Sequence, residues 1–294
     1  MVYDLIIVGM GPGGIGAAIY AKRAGLNILC LDKNMPGGYL NFIDRIDNYP
    51  GYYDITGPEL SFKFNEHLKN LDINVIKRNV VDIVDGDVKK IVTDKEEYLC
   101  KFVILATGRI SRKLGIPHED ELLGRGLSHC ALCDGNLYKG KDVAVIGGGR
   151  SALQEAMYLS KIVNKVYVVH RRNQFSISDT LVDDVLNNEK IVPCMSRTIK
   201  EFVLDNGKLV GIKLDDDSVL DVACVFSYIG YVPDTRLSLD IMDESGYIEV
   251  NENYESKKDG IYAVGDIIKK EVYQIVNAAS EGALAATYIS QRCK

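Results

Sequence analysis

The sequence lacks the ligand set of a metal protein. It has seven cysteines and four histidines in 294 residues, and only one close cysteine pair, Cys130-Ala131-Leu132-Cys133. There is no second C-x-x-C and no H-x3-H, whereas structural zinc usually takes two spaced pairs of ligands. His129 precedes Cys130 but cannot complete a tetrahedral site alone, so no metal is expected. The other cysteines (Cys30, Cys100, Cys194, Cys224 and Cys293) stand singly, and their odd total fits a reducing compartment better than a secreted disulfide framework. No apolar run approaches the roughly 18 residues of a membrane span. No leader is apparent, because Met1-Val2-Tyr3-Asp4 runs straight into a strand. The chain also lacks a net positive charge: its net charge is −6, which argues against a general nucleic-acid binder. These absences imply a cytoplasmic protein that works away from membrane and nucleic acid. Hydrophobic residues at 47% and charged residues at 26% are an ordinary globular balance, and the length allows two domains.

The one cysteine pair is therefore the first chemical signal. Two cysteines three apart can close a small disulfide ring, and in a cytosolic chain such a pair reads as a redox couple. Asp134 follows at once. A sulfur that attacks or leaves a disulfide needs a proton source nearby, and Asp134 is placed to be one.

Two glycine-rich turns supply the framework. Asp4-Leu5-Ile6-Ile7-Val8 reads as a buried parallel strand. Gly9-Met10-Gly11-Pro12-Gly13-Gly14 follows, then an alanine-rich helix over 15–24 and a strand ending at Asp32. Asp32 lies 23 residues beyond Gly9 (32 − 9), the spacing at which an acid meets a dinucleotide ribose. Glycines let backbone approach a pyrophosphate, and the helix N-terminus favours its charge. The pattern recurs as Asp142-Val143-Ala144-Val145-Ile146, then Gly147-Gly148-Gly149-Arg150-Ser151-Ala152, with His170-Arg171-Arg172 again 23 residues on (170 − 147). The ribose ends differ: Asp32 suits a free 2′-hydroxyl, whereas Arg171 and Arg172 suit a 2′-phosphate.

Between and beyond these turns, 57–71 reads as a helix, and 75–83 with 88–93 as strands of a small antiparallel layer. Residues 196–213 read as a strand pair turning at Asp205-Asn206-Gly207, and 246–250 and 260–266 as further strands. Gly265-Asp266 offers backbone N–H groups and a carboxylate at a strand end. A helix over 274–289 is too little for a third domain, so the tail is expected to complete the first. The fold class is α/β, with two Rossmann-like nucleotide-binding domains.

With these residues in view, the chain resembles the low-molecular-weight thioredoxin reductases nearly end to end. The resemblance rests on the first glycine turn, Asn48-Tyr49-Pro50-Gly51, Ala106-Thr107-Gly108, Gly115-Ile116-Pro117, Cys130-Ala131-Leu132-Cys133-Asp134-Gly135, Tyr228-Ile229-Gly230 and Gly265-Asp266. It implies an FAD domain formed by 1–111 and 242–294, interrupted by a smaller pyridine-nucleotide-type domain at 112–241 that carries the redox pair. It implies a homodimer, a domain rotation, and thioredoxin as the substrate reduced through Cys130 and Cys133. FAD contacts are expected at Gly9, Gly11, Pro12, Gly13, Gly14, Asp32 and Lys33. They are expected also at Gly38, Tyr39, Asn48, Val81, Ala106, Thr107 and Gly108, and in the tail at Gly265, Asp266, Tyr273, Gln274 and Ile275. Gly147, Gly149, Ala152, Arg171 and Arg172 are the candidates for NADPH.

Four departures bear on the electron donor. The family pattern G-G-G-D-S-A carries Arg150 in place of its acid. H-R-R-x-x-F-R-A loses an arginine at Ser176. The Arg-Gln after G-D is Tyr273-Gln274, and the glutamine of G-G-Q-L is Tyr39. These changes resemble the ferredoxin-dependent flavin thioredoxin reductases of anaerobes. Arg150 is expected to fill the nucleotide cleft. Reduced ferredoxin is thus slightly preferred as donor, with NADPH the alternative. A non-catalytic FAD-binding redox sensor is a further alternative, against which the retained Asp134 argues.

Overall fold

Two parallel sheets divide the chain. The computed structural model describes residues 1–43, 45–234, 237 and 240–293. One unit comprises Met1–Ile110 with Val232–Lys294, the other Ser111–Tyr231. The chain passes from the first unit to the second at 110/111. The second crossing comes about ten residues earlier than expected, at 231/232 rather than 241/242. The reason is burial: Leu237 and Ile241 pack into the core of the first sheet with Ile6, Val8 and Ile261.

In the first unit the strands Val75–Lys77, Ile28–Asp32, Val2–Val8 and Glu97–Leu105 lie side by side and parallel. Glu97–Leu105 is shared. Its first half pairs antiparallel with Lys89–Thr93, and its second half pairs parallel with Ile261–Ala263. The tail strand therefore joins the sheet begun by the N-terminus, on the side of Glu97–Leu105 away from Val2–Val8. Alternate side chains serve opposite faces. Leu5, Ile7, Cys30 and Ile104 meet the helices Pro12–Arg23 and Ile275–Arg292. Ile6, Val8, Leu29 and Leu31 meet Ile83 and Ile91.

Those last two residues belong to Val80–Val84 and Lys89–Thr93, an antiparallel pair. Only two residues separate Lys77 from Val80, a reach of about 11 Å. Five strand spacings, by contrast, amount to about 24 Å. The pair cannot simply continue the sheet's far edge, so it folds back across one face. The expectation that 75–83 belongs to this layer is corrected: Val75–Lys77 is the parallel sheet's edge strand.

The two helices on the other face approach backbone to backbone. A Cβ at Gly16 would lie 2.3 Å from the carbonyl oxygen of Ala279, and one at Gly282 would lie 1.9 Å from that of Gly13. Only glycine admits this contact, and it locks the tail to the helix that starts at the first glycine turn. The expected strand at 246–250 is absent. Met242, Ile248 and Val250 form isolated bridges instead.

The second unit repeats the plan with strands Ile191–Met195, Lys165–His170, Asp142–Ile146, Cys224–Ser227 and Leu127–Ser128, all parallel. Pro193 lies on the edge strand, where a missing N–H costs no central ladder bond. The hairpin Ile199–Asp205 with Lys208–Leu214 forms as expected. Asn206 and Gly207 both have positive φ, 49° and 75°, as a two-residue hairpin turn requires. Both units are thus open parallel sheets covered by helices, the expected α/β class.

Candidate active site

Cys130 and Cys133 form a disulfide with Cα atoms 5.4 Å apart. Cys130 caps the one-turn helix Ala131–Asp134, and the Cys133 N–H donates to the Cys130 sulfur at 3.0 Å. Cys130 is buried and Cys133 exposed. The strand Leu127–Ser128 feeds this turn. The Ser128 hydroxyl, 4% exposed, donates to Asp134 Oδ2 at 2.7 Å and accepts the Cys130 N–H at 3.0 Å. One hydroxyl therefore fixes both the proton source and the backbone of the first cysteine. From the neighbouring strand's end, the Tyr228 hydroxyl accepts the Ala131 N–H at 2.9 Å. Behind the turn lie the buried Cys224 thiol and the Tyr138 phenol. Burial pushes the thiol up to about 12 and also raises the phenol, so both stay protonated at neutral pH.

The first glycine turn is built for a close ligand. Gly9 has φ +94°, and a Cβ there would lie 2.5 Å from the Ala106 carbonyl oxygen. A Cβ at Gly14 would lie 1.9 Å from that of Gly9. Pro12 occupies the first turn of Pro12–Arg23, whose N-terminal N–H groups are unpaired within the helix. Gly38 is folded over the turn: its φ is +57°, and a Cβ would come 2.9 Å from Gly11 Cα. Asp32 Oδ2 accepts the Met10 N–H at 2.6 Å, and Oδ1 accepts that of Asn34 at 2.8 Å. Burial raises its pKa, while these backbone bonds and Lys33 oppose the shift.

The tail brings a second group of residues to the same sheet end. Gly265 lies beside Gly13, whose added Cβ would be 3.6 Å from Gly265 Cα. Glu281, 8% exposed, accepts the Gly265 N–H at 2.7 Å and pairs with Lys270 at 2.8 Å. Asn48 Nδ2 donates to Gln274 Oε1 at 3.1 Å, joining two predicted cofactor residues 226 positions apart. Ile275 packs beside the cluster of Leu40, Ile46, Ile55 and Leu60.

The second glycine turn keeps its backbone form. Gly147 has φ +145°, and a Cβ there would lie 2.5 Å from the Tyr228 carbonyl oxygen. Ala152 is fully buried. Gly149, capping Arg150–Ser160, faces open space. The imidazole of His170 covers Gly148, where a Cβ would lie 2.4 Å from the ring. Burial lowers the His170 pKa, helped by Arg172 and Arg171. Arg171 and Arg172 are exposed, and neither pairs with an acid among the described residues. Arg150, expected to fill the cleft, is engaged by an acid of its own unit. Its side chain is 58% exposed and ion-paired with Asp179, the cap of Thr180–Leu186. Ser176 is exposed and gives its backbone N–H to the Gly148 carbonyl at 2.8 Å.

The pyridine nucleotide-disulphide oxidoreductase family matches residues 3–282. The thioredoxin reductase of Bacillus subtilis (strain 168) is 40% identical over 293 residues, 97% of this chain and 93% of that one. The chain belongs to the pyridine nucleotide-disulphide oxidoreductases, and among them to the thioredoxin reductases. The crystal structure of Lactococcus lactis thioredoxin reductase is 37% identical with a TM-score of 0.90, covering 98% of each chain. A ferredoxin-flavin thioredoxin reductase from Clostridium acetobutylicum is 33% identical with a TM-score of 0.56, covering 99% of this chain and 98% of that one.

Thioredoxin reductases bind FAD, and the first glycine turn fits such a group. Its backbone is bare where a pyrophosphate must approach, the helix start presents free N–H groups, and Asp32 is held as an acceptor for ribose hydroxyls. The structure gathers Gly9, Gly11, Gly13, Gly14, Gly38, Ala106 and Gly265 there. Others are less central. Lys33 pairs with the buried Asp234 at 3.6 Å, and Val81 is 48% exposed on the folded-back layer. Thr107 and Gly108 continue from the central strand, and the Gly108 carbonyl accepts the Asp234 N–H at 3.1 Å. Tyr39 is 44% exposed and tilted against Phe42 at 6.0 Å.

Sequence reasoning missed Ser128, Tyr228 as a hydrogen-bond acceptor, and the Glu281–Lys270 pair. Ser128 lies two residues before Cys130 and could have been flagged as a local polar partner. Tyr228 is 97 positions from Ala131, and nothing short of the strand order connects them. Among the described residues no helix is long and apolar enough to cross a membrane, and no group of three or more His, Cys, Asp or Glu could hold a metal.

Proposed function

We propose that this chain reduces the disulfide of thioredoxin through Cys130 and Cys133, as a homodimer with FAD bound at the first glycine turn. The observation that carries the reading is the Cys130–Cys133 disulfide with Ser128 and Asp134 hydrogen-bonded beside it. FAD, when bound, supplies a two-electron carrier able to reduce that disulfide. Two electrons and two protons convert the bridge to two thiols, and thiol–disulfide exchange with thioredoxin returns both to the partner. The Cys133 N–H stabilises negative charge on the Cys130 sulfur. Cys130 is then the sulfur that leaves as thiolate when the bridge opens and that attacks the substrate disulfide. Asp134, oriented by Ser128, holds the proton exchanged with the departing sulfur. A sensor needs no such proton group, and its presence supports turnover.

The donor we propose is NADPH, which reverses the slight preference drawn from sequence. That preference rested partly on an unpaired Arg150 in the cleft, and Arg150 has its charge matched by Asp179. Arg171 and Arg172 stand exposed at the strand end where a 2′-phosphate would be recognised. Reduced ferredoxin is the second reading. It is favoured by Ser176, which removes a third guanidinium from the same place. Anaerobic bleaching of the flavin with NADPH, NADH and reduced ferredoxin in turn decides between them. Rapid bleaching by micromolar NADPH is the expected result, and Ser176→Arg should strengthen it by about tenfold or more. Bleaching by ferredoxin alone would overturn the NADPH reading, and failure to reduce thioredoxin with any donor would overturn the whole assignment.

A further inference from the structure

Arg109 follows Gly108 and opens the short strand Arg109–Ser111. No nucleotide motif includes it. Its guanidinium donates to Asp266 Oδ2 twice, from Nη2 at 2.8 Å and from Nε at 3.2 Å. The same guanidinium lies over the Tyr273 ring, 4.1 Å from its centroid. Asp266 and Tyr273 are both assigned to the flavin by resemblance, and Arg109 touches both. The side chain is 23% exposed and that of Asp266 is 32% exposed, so the pair is partly withdrawn from water. Charge-assisted bonds and a stacked guanidinium are both stronger in that setting.

We infer that Arg109 is the positioning residue of the cofactor's tail-side wall, supplying from the strand after Gly108 the cation absent at Tyr273. The family pattern carries arginine at 273, next to Gln274, and this chain carries tyrosine. A tyrosine there cannot pair with Asp266 electrostatically. It offers an aromatic face instead, and Arg109 uses that face while making the ion pair itself. Lys270 completes the surround, 5.7 Å from the Tyr273 centroid and 3.9 Å from Asp266 Oδ1. Lysine cannot replace Arg109, because its ammonium lacks the planar fork that reaches one carboxylate oxygen with two N–H groups while lying flat on a ring. Lys270 is in any case committed to Glu281.

The inference rests on FAD binding at the first turn, and the test separates the two. FAD dissociation constants are measured by flavin fluorescence for the unaltered protein, Arg109→Ala, Arg109→Lys, and Arg109→Ala combined with Tyr273→Arg. Arg109→Ala should weaken FAD binding by about tenfold or more, the effect of losing hydrogen bonds to a charged group. Arg109→Lys should recover only part of this. The double variant should recover most of it, since it returns a guanidinium to the neighbourhood of Asp266. Far-ultraviolet circular dichroism verifies that each variant is folded. Unchanged FAD affinity in Arg109→Ala, or a folded double variant no better than Arg109→Ala, would overturn the inference. An unaltered protein that binds no FAD would overturn the flavin reading itself.

Discussion

Gly282→Ala sets two physical effects against each other at the seam between tail and N-terminus. Gly282 lies within the helix Ile275–Arg292. On helix propensity alone, alanine there should stabilise by about 1 kcal/mol. The tertiary structure predicts the opposite sign. The new methyl carbon would start 1.9 Å from the Gly13 carbonyl oxygen and 2.8 Å from the Ala17 nitrogen. Both are backbone atoms of the facing helix and cannot rotate away. Relief requires the helices to separate by about 1.5 Å, and overpacking of this kind costs about 1–3 kcal/mol or more. The net effect should be a loss of up to about 2 kcal/mol. Displacing Gly13 also disturbs the turn that receives the pyrophosphate, so FAD affinity should fall together with stability. The assays are the urea midpoint and the FAD dissociation constant, with Ser280→Ala on the exposed face of the same helix as the control. Ser280→Ala should be neutral or slightly stabilising. A higher midpoint for Gly282→Ala with unchanged FAD affinity would refute the close-packing argument.

Four other outcomes are expected. Cys130→Ser and Cys133→Ser should each abolish thioredoxin reduction while FAD stays bound, because one thiol can form a mixed disulfide but cannot complete the exchange; steady-state turnover and the flavin spectrum check this. Asp134→Asn should slow turnover by about 10²-fold or more. Ser128→Ala should lower stability by about 1–3 kcal/mol by leaving the Cys130 N–H without its partner, and turnover near the parent rate would count against its hold on Asp134. His170 has a lowered pKa in the fold, so the folded state prefers the neutral ring. Its contribution to stability is complete above about pH 6.5 and is lost as pH falls toward the folded value. Urea midpoints between pH 5 and 8 should therefore fall on the acid side, and a His170→Gln variant should show a shallower fall.

The local parts of this protein were legible because their causes are local. Glycine turns with an apolar strand before them and a helix after them announce a nucleotide fold, since close backbone approach and free helix N–H groups depend on a few adjacent residues. The cysteine pair and Asp134 were legible for the same reason: a three-residue spacing already fixes the ring. The helix at 57–70 carries its own capping box, with Thr56 and Glu59 satisfying each other's backbone. The sequence also implied that the tail returns to the first domain, because the tail is too short to bury a core alone.

What tertiary structure decided was direction and distance. The sequence shows that Arg150 replaces an acid, but its effect depends on Asp179, 29 positions away, which binds the guanidinium. The strand Val75–Lys77 reads locally as part of an antiparallel layer, yet it pairs with Ile28–Asp32 because that partner lies beside it in space. The second crossing could not be read from composition, since Leu237 and Ile241 look like any linker hydrophobics until the first core buries them. Arg109 and Asp266 meet across 157 positions of sequence, with the Tyr273 ring under the same guanidinium. Side-chain reach and strand order bring them together, and neither is written in the spacing of residues along the chain.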